Sequence, residues 1–128
     1  MKLNEIFDQP SYKTTHVGQV IDGLVVGDNI PNTSSISATF TDYDITPGIH
    51  VIPMGELDTN LSNMFYARND MRWARELATE IETNGYIDPL IVVQDAQGLY
   101  ILEGGHRFAA LCILKKKEFP AMVVRDLD

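Results

Sequence analysis

The sequence has little cysteine and no long hydrophobic run. Its 128 residues contain one cysteine, Cys112, so an internal disulfide is excluded, and this usage is typical of a reducing cytoplasm. No apolar run approaches the roughly 20 residues that span a bilayer. The N-terminus also lacks the continuous apolar segment of a secretory signal. We therefore expect a cytoplasmic protein without membrane contact, in which Cys112 is a buried small hydrophobe rather than a nucleophile.

Positive charge is also scarce, and it is unevenly distributed. Lysine and arginine number 10 against 18 aspartates and glutamates, which gives a net charge of -8. Residues 1–50 hold only two of the cations, Lys2 and Lys13. Because duplex DNA binding needs clustered Lys and Arg, tight binding to duplex DNA is not expected. Any anion site should be small and local, and it should lie in the later part of the chain.

The first 48 residues are rich in turn formers and β-branched residues. The stretch "QVIDGLVV" predicts a hairpin or a bulged strand with Asp22 and Gly23 as the turn. "SSISATF" alternates polar and apolar residues, which predicts a half-buried strand. Asp42 to Gly48, which contains Pro47-Gly48, is interpreted as a turn or loop. Residues 1–48 are therefore predicted to form a β-rich N-terminal extension packed on the domain.

From residue 49 the pattern predicts a β-α-β-β-α-β order. "IHVIPM", "PLIVV", "LYIL" and "FPAMVV" read as strands, and "NDMRWARELATEIETNG" and "HRFAALCILKK" read as helices. Asn69 or Asp70 is the expected N-cap of the first helix, and Gly85 is expected just past its end. Residues 49–128 are thus predicted to form one domain of α+β (mixed α/β) class.

Within the first of these helices, an apolar stripe is predicted to face the core. Trp73, Leu77 and Ile81 recur at i, i+4 and i+8, which is the spacing of one helix face. Arg72 and Arg75 are expected to pair with glutamates on the solvent side.

The most distinctive local motif is "EGGHR", at the predicted junction between a strand and a helix. Glu103, Gly104 and Gly105 end the strand, and His106 and Arg107 open the helix. Glycines let the backbone approach a ligand closely, and the N–H groups of a first helical turn attract phosphate. Arginine adds a planar fork of donors, and histidine can donate to a phosphate or exchange a proton. The alternative is a tight turn whose polar side chains face water.

This corner stands in an ordered series of motifs, "HVIPMGEL", "ELATEIETNGYIDPLIVV", "GLYILEGGHRFAAL" and "FPAMVV". The series resembles the ParB/sulfiredoxin superfamily over about residues 49–125. The resemblance implies a single domain in which the corner binds nucleotide phosphates. Members include CTP-dependent partition proteins, ATP-dependent sulfinic acid reductases, a serine kinase and domains described as ParB-like nucleases. The matching positions are Ile52, Pro53, Leu57, Gly85, Pro89, Gly104, His106, Arg107, Ala110 and Pro120.

Two departures from the better-known members narrow what the resemblance implies. Sulfiredoxins carry a cysteine immediately before the His-Arg pair, where this chain has Gly105, so sulfinic acid repair is not supported. Partition proteins carry further DNA-binding and dimerisation parts, whereas this sequence stops at Asp128 and is acidic. Binding to centromere DNA is therefore not expected. Arg68, in "FYARND", is a candidate second phosphate contact or a surface arginine, with Arg72 as the fallback.

The resulting hypothesis is that the domain binds ATP, ADP or CTP. Mg²⁺ is an expected cofactor, because it often accompanies nucleotide phosphates in phosphoryl transfer. The nucleotide contacts would be Gly104, Gly105, His106, Arg107 and Arg68. Glu103 and His106 would be the catalytic residues of NTP hydrolysis or phosphoryl transfer. No preformed protein metal site is expected, because His16, His50 and His106 are isolated in sequence.

Two alternatives belong to other functional classes. The first is a ParB-like nuclease or DNA-processing domain. The second is a non-catalytic module of a plasmid or phage system, which would bind a protein partner or a second copy of itself. In that case residues 1–50 are the expected contact surface.

Overall fold

The computed structural model describes residues 12–57 and 68–127, with side chains of the second segment described from Met71 onward. The described elements, in chain order, are β1 (Thr14–Thr15), β2 (Val20–Ile21), β3 (Leu24–Val26), α1 (Ser34–Thr39), β4 (Tyr43–Pro53), a 3-10 turn (Met54–Glu56), α2 (Arg68–Asn84), β5 (Tyr86–Ile87), β6 (Leu90–Asp95), β7 (Gly98–Glu103), α3 (Gly105–Ile113) and β8 (Glu118–Asp126). The predicted mixed α/β class is confirmed, and the order from residue 49 differs from the predicted one by the additional short strand β5. No described helix is both long and apolar enough to cross a membrane.

A five-stranded sheet with the order β1-β4-β8-β6-β7 forms the centre of the molecule. β6 runs parallel to β8, and the other neighbours pair antiparallel. The residues of β6 from Leu90 to Gln94 are all buried, because both faces of the sheet are covered. On one face Phe108 of α3 packs edge-on against Phe119 of β8, with ring centroids 5.7 Å apart. This face carries the larger core, which α2 and α3 cover.

Helix α1 covers the opposite face, and the prediction of a strand for "SSISATF" is wrong. Ile36 and Phe40 are four residues apart, so one helix face can carry both onto Ile91, Val93 and Val124. The hydroxyl of Thr39 donates to the carbonyl of Ser35 at 2.7 Å, which satisfies a polar side chain within the short helix. The segment forms a helix despite its alternating pattern, because the helical conformation buries Ile36 and Phe40 against the sheet.

A second sheet, β2-β3-β5, attaches the N-terminal region to the rest of the chain. The predicted hairpin is confirmed: Asp22 and Gly23 form its turn, with φ angles of 48° and 83°. The carboxylate of Asp22 accepts a hydrogen bond from the Lys117 N–H at 2.6 Å, and Lys116 Nζ donates to the Asp22 carbonyl at 2.9 Å. Strand β3 then pairs parallel with β5, where Val25 is the register partner of Tyr86.

Strand β4 is longer than the sequence predicts, and the interpretation of Asp42 to Gly48 as a turn or loop is wrong for most of its length. The strand runs without interruption from Tyr43 to Pro53, through the point where the sequence changes in texture. Its register against β8 shifts between Thr46 and His50, and Gly48 has a φ of 89°. The Pro47-Gly48 pair therefore marks a bulge within a strand, which glycine accommodates at low cost.

Helix α2 confirms part of its prediction and corrects the rest. It begins at Arg68, so Asn69 and Asp70 lie in its first turn rather than at the N-cap. Gly85 lies just past its end with a φ of 76°, and its N–H donates to the Ile81 carbonyl at 2.8 Å, as predicted. The exposed pair of Arg72 and Glu76, joined at 3.5 Å, is also confirmed.

The predicted core stripe of α2 is wrong at its first position. Ala74, Ala78 and Ile81 are buried, whereas the side chain of Trp73 is 64% exposed. The buried face is therefore rotated by about one residue from the predicted stripe. Two alanines on this face let the helix approach α3 closely, and a tryptophan would not fit in that space.

Candidate functional site

The Gly-Gly corner lies where the sequence predicts it, between the last sheet strand before α3 and the start of that helix. β7 ends at Glu103, and Gly104 turns the chain with φ 100° and ψ 30°. Helix α3 begins at Gly105, one residue earlier than predicted, and its first hydrogen bond runs from the Phe108 N–H to the Gly104 carbonyl at 2.8 Å. The amides of Gly105, His106 and Arg107 precede that bond, so the helix itself supplies no acceptor for them.

Gly104 is required for steric reasons as well as for its backbone conformation. A Cβ atom at this position would lie 2.7 Å from Leu90 Cγ and 3.1 Å from Arg107 Nη2. Its left-handed φ also disfavours any residue with a side chain.

A side chain at Gly105, in contrast, would not be crowded by the described residues. No heavy atom of the described residues lies within 4 Å of the position that its Cβ would take. Among the described residues, none therefore crowds the side of the first turn of α3 to which a residue 105 side chain would point.

Arg107 is half-buried beneath this corner and contacts the link between β5 and β6. Its Nη1 donates to the carbonyl of Asp88 at 2.8 Å and to that of Pro89 at 3.1 Å. Burial lowers the pKa of the guanidinium, while the carboxylates of Asp88 and Glu103 raise it. Neither sequence interpretation, a phosphate contact or a solvent-exposed side chain, anticipated these two bonds.

The N-terminal region reaches the same place through Asp88. The Asp88 carboxylate accepts a hydrogen bond from the Asn29 N–H at 3.2 Å, and the Gly27 N–H donates to the Ile87 carbonyl at 2.9 Å. The Asp88 carboxylate also occupies the space that a side chain at Gly27 would need. The sequence indicated no role for residues 1–48 at the corner. The run "GDN", residues 27–29, predicts a turn, but it does not indicate that Asn29 contacts Asp88, 59 residues away.

The other candidate residues lie around the corner at different levels of exposure. Glu103 is half-buried at the end of β7, and its carboxylate acts on Arg107 electrostatically. His106 is exposed, and its ring lies beside that of Trp73, with centroids 6.2 Å apart and planes tilted by 53°. The side chain of Arg68, the first residue of α2, lies outside the described residues, so its role stays a prediction. The fallback, Arg72, is exposed and paired with Glu76.

Cys112 and His50 are both at least partly buried. Cys112 is half-buried against the main core, and burial raises the pKa of its thiol. His50 lies in β4, within the predicted strand "IHVIPM", and is buried. Within residues 12–57 and 68–127 no group of three or more His, Cys, Asp or Glu side chains could hold a metal ion.

Two clefts in the described part of the structure border the N-terminal strands. One, of about 570 Å³, is lined by residues from Val17 to Asp88, and the carbonyl of Asp88 accepts the hydrogen bond from Arg107. The other, of about 410 Å³, lies between β1, β4 and the hairpin and includes Tyr12 and Glu56. The tyrosine hydroxyl donates to the Glu56 carboxylate at 2.5 Å.

Comparisons with known proteins match the part of the chain that carries the corner. The model of the ParB N-terminal domain matches residues 41–128. A crystal structure of sulfiredoxin from Arabidopsis thaliana is 23% identical over 60% of this chain and 84% of that chain, with a TM-score of 0.48. A Pnob8-like ParB-N domain, in its C2221 form, is 20% identical with a TM-score of 0.45. That match covers 70% of this chain but 33% of the other, so the two chains differ greatly in length. No curated protein matches the sequence.

Proposed function

The chain belongs to the ParB N-terminal domain family, and from that premise we propose that its Gly-Gly-His-Arg corner binds the phosphates of a nucleotide. One observation carries the proposal. Gly104 turns the chain so that α3 starts directly after the strand, and no described residue crowds the position of a side chain at Gly105. Phosphate oxygens placed there accept from the amides of the first helical turn and face the positive end of the helix dipole.

Arg107 supplies the positive charge of the proposed site. Its Nη1 is occupied by the carbonyls of Asp88 and Pro89, which fixes the orientation of the guanidinium plane. The proposal assigns the remaining donors, on Nε and Nη2, to phosphate oxygens. Because the guanidinium is partly buried, its attraction for an anion is screened less than that of a surface arginine. An acidic protein can thus bind an anion at one point.

The proposed reaction is NTP hydrolysis or phosphoryl transfer, with ATP, ADP or CTP as the nucleotide and Mg²⁺ as its companion. Glu103 is assigned as the base or as a carboxylate ligand of the nucleotide-bound Mg²⁺, because it directly precedes the corner. His106 is assigned as a donor to the phosphates. Sulfinic acid repair is left out, because the residue before the His-Arg pair is Gly105 and Cys112 lies half-buried inside α3.

Gly105→Asp provides a direct test of binding. An aspartate in the first turn of α3 suits the helix dipole, and no described atom crowds the position of its Cβ, so the fold should be kept. Its carboxylate would stand where the phosphate is proposed to bind, so affinity should fall about tenfold or more. The measurement is isothermal titration with ATP, ADP and CTP, each with and without Mg²⁺.

Gly55→Asp is the matched control, since it adds the same charge at an exposed glycine that is likewise uncrowded by described residues. It should bind nucleotide as the wild type does. Absence of nucleotide binding by the wild type, or equal affinity in both aspartate variants, would contradict the proposal.

Phosphate release tests the catalytic part separately from binding. If Glu103 is the base, Glu103→Gln should abolish release of phosphate from the bound triphosphate while the affinity changes little. Binding by the wild type without phosphate release would instead favour a nucleotide-binding module that acts on a protein partner.

A further inference from the structure

Trp73 is the only tryptophan of the chain, and its side chain lies largely outside the core. It is 64% exposed on the outer side of α2, whereas Ala74, next to it, is completely buried. Tryptophan normally removes a large apolar area from water, so exposure of this kind marks a side chain whose position the core does not explain. Single exposed apolar residues are common on protein surfaces and need no functional explanation. Trp73 is a candidate for a functional role because it lies next to the corner.

The indole lies beside a residue of the phosphate corner. Its ring centroid is 6.2 Å from that of His106, at an interplanar angle of 53°. His106 is the second residue of α3, between Gly105 and Arg107, and α2 packs along α3. Two aromatic rings are therefore held at the exposed edge of the corner, one on each helix.

We propose that the indole of Trp73, which lies beside His106, is a stacking platform for the base of the nucleotide whose phosphates the corner binds. This inference rests on the proposed function and adds the base to it. Every nucleobase has a flat π face, and stacking on tryptophan needs no particular hydrogen-bond pattern. A purine offers more ring area than a pyrimidine, so the substrate class is a purine nucleotide. The indole binds the ring, the corner binds the phosphates, and His106 lies between them.

The test compares a nucleotide with a base-free phosphate chain. Wild type, Trp73→Ala and Trp73→Phe are titrated with ATP, CTP and inorganic tripolyphosphate by isothermal titration. Trp73→Ala should weaken ATP binding about tenfold, a factor within the range for loss of a stacking partner, and should leave tripolyphosphate binding unchanged. Trp73→Phe keeps an aromatic face and should stay within about threefold of the wild type. ATP should also bind the wild type more tightly than CTP.

Intrinsic fluorescence gives an independent readout, because the emission of this protein comes from one tryptophan. ATP should change the emission of the wild type at concentrations that follow the titration, whereas tripolyphosphate should bind without a comparable change. His106→Ala keeps the fluorophore and should reduce the change caused by ATP.

The outcomes separate this inference from the proposed function. Equal affinity of wild type and Trp73→Ala for ATP overturns the platform and leaves the phosphate site standing. A loss that is the same for ATP and tripolyphosphate also overturns it, because it shows that Trp73 supports the fold of the corner. If neither ATP, CTP nor tripolyphosphate binds the wild type, the phosphate site itself is refuted and the platform with it.

Discussion

Arg107 and Asp88 are joined by a hydrogen bond of 2.8 Å from the guanidinium Nη1 to the main-chain carbonyl oxygen. The same nitrogen also donates to the carbonyl of the next residue, Pro89. The arginine proposed to contact phosphate therefore also holds the segment that leads into the central strand β6. The proposed binding of phosphate and the stability of the fold thus depend on one side chain, and removal of the arginine should affect both.

Arg107→Ala should lower the free energy of unfolding by about 2 kcal/mol. The substitution removes two charge-assisted hydrogen bonds and leaves two part-buried carbonyls without their donor. Urea unfolding followed by circular dichroism measures the effect. Arg75→Ala, which removes an exposed arginine from α2, should stay within about 0.5 kcal/mol of the wild type. Equal unfolding midpoints for the two variants would show that the bonds of Arg107 contribute nothing to stability.

The two glycines of the corner should respond oppositely to the same substitution. Gly104→Ala places a Cβ 2.7 Å from Leu90 Cγ in a left-handed conformation, so we expect a loss of about 2–4 kcal/mol of stability. Gly105→Ala meets no described atom and lies in a helix, where alanine is favoured over glycine by up to about 1 kcal/mol. Chemical denaturation of both variants gives the comparison, and a similar cost at both positions would contradict it.

The stability of the protein should fall in mild acid because of His50. This side chain is 4% exposed, its Nδ1 has no hydrogen-bond partner among the described residues, and burial lowers its pKa from the ordinary 6.5. The folded state then binds a proton less readily than the unfolded state does. The stabilisation is present above pH 6.5 and is lost as the pH falls below that value towards the lowered pKa.

Thermal unfolding between pH 7.5 and pH 5 should therefore show a steeper decline for the wild type than for His50→Leu. His16→Gln, at an exposed histidine, is the control and should follow the wild-type profile. Parallel profiles for the wild type and His50→Leu would exclude His50 as the source of the decline.

Local rules predicted the elements whose conformation depends on neighbouring residues. The Asp22-Gly23 turn, the end of α2 at Gly85 and the continuous apolar run of β6 each follow from a few adjacent side chains. The predictions that were wrong concern elements whose conformation depends on residues distant in sequence. Ile36 and Phe40 fit either a helix or a strand until the sheet supplies Ile91 and Val93. Pro47-Gly48 signals a turn unless a long partner strand, β8, continues the pairing on both sides.

The same division holds within the candidate site. The strand end, the glycines and the helix start at residues 103–107 were predicted, since glycine and helix chemistry are local. The contacts of Arg107 with Asp88, and of Asp88 with Asn29, span 19 and 59 residues and leave no local pattern. The exposure of Trp73 was missed because helical spacing defines a stripe but not its rotation relative to the neighbouring helix.

The pairing of β3 with β5 has a consequence for the order in which the chain matures. The hairpin of β2 and β3 is synthesised early, and its two strands are adjacent in sequence. Its other neighbour in the sheet is β5, and Tyr86 of β5, the register partner of Val25, is added only after most of the sequence has been translated. Until then β3 is paired with β2, but the edge that later joins β5 is unpaired beside Leu24 and Val26, which are buried in the finished protein. A nascent chain shorter than this point presents an apolar strand edge to its surroundings, and the hairpin is among the last elements to reach its final environment.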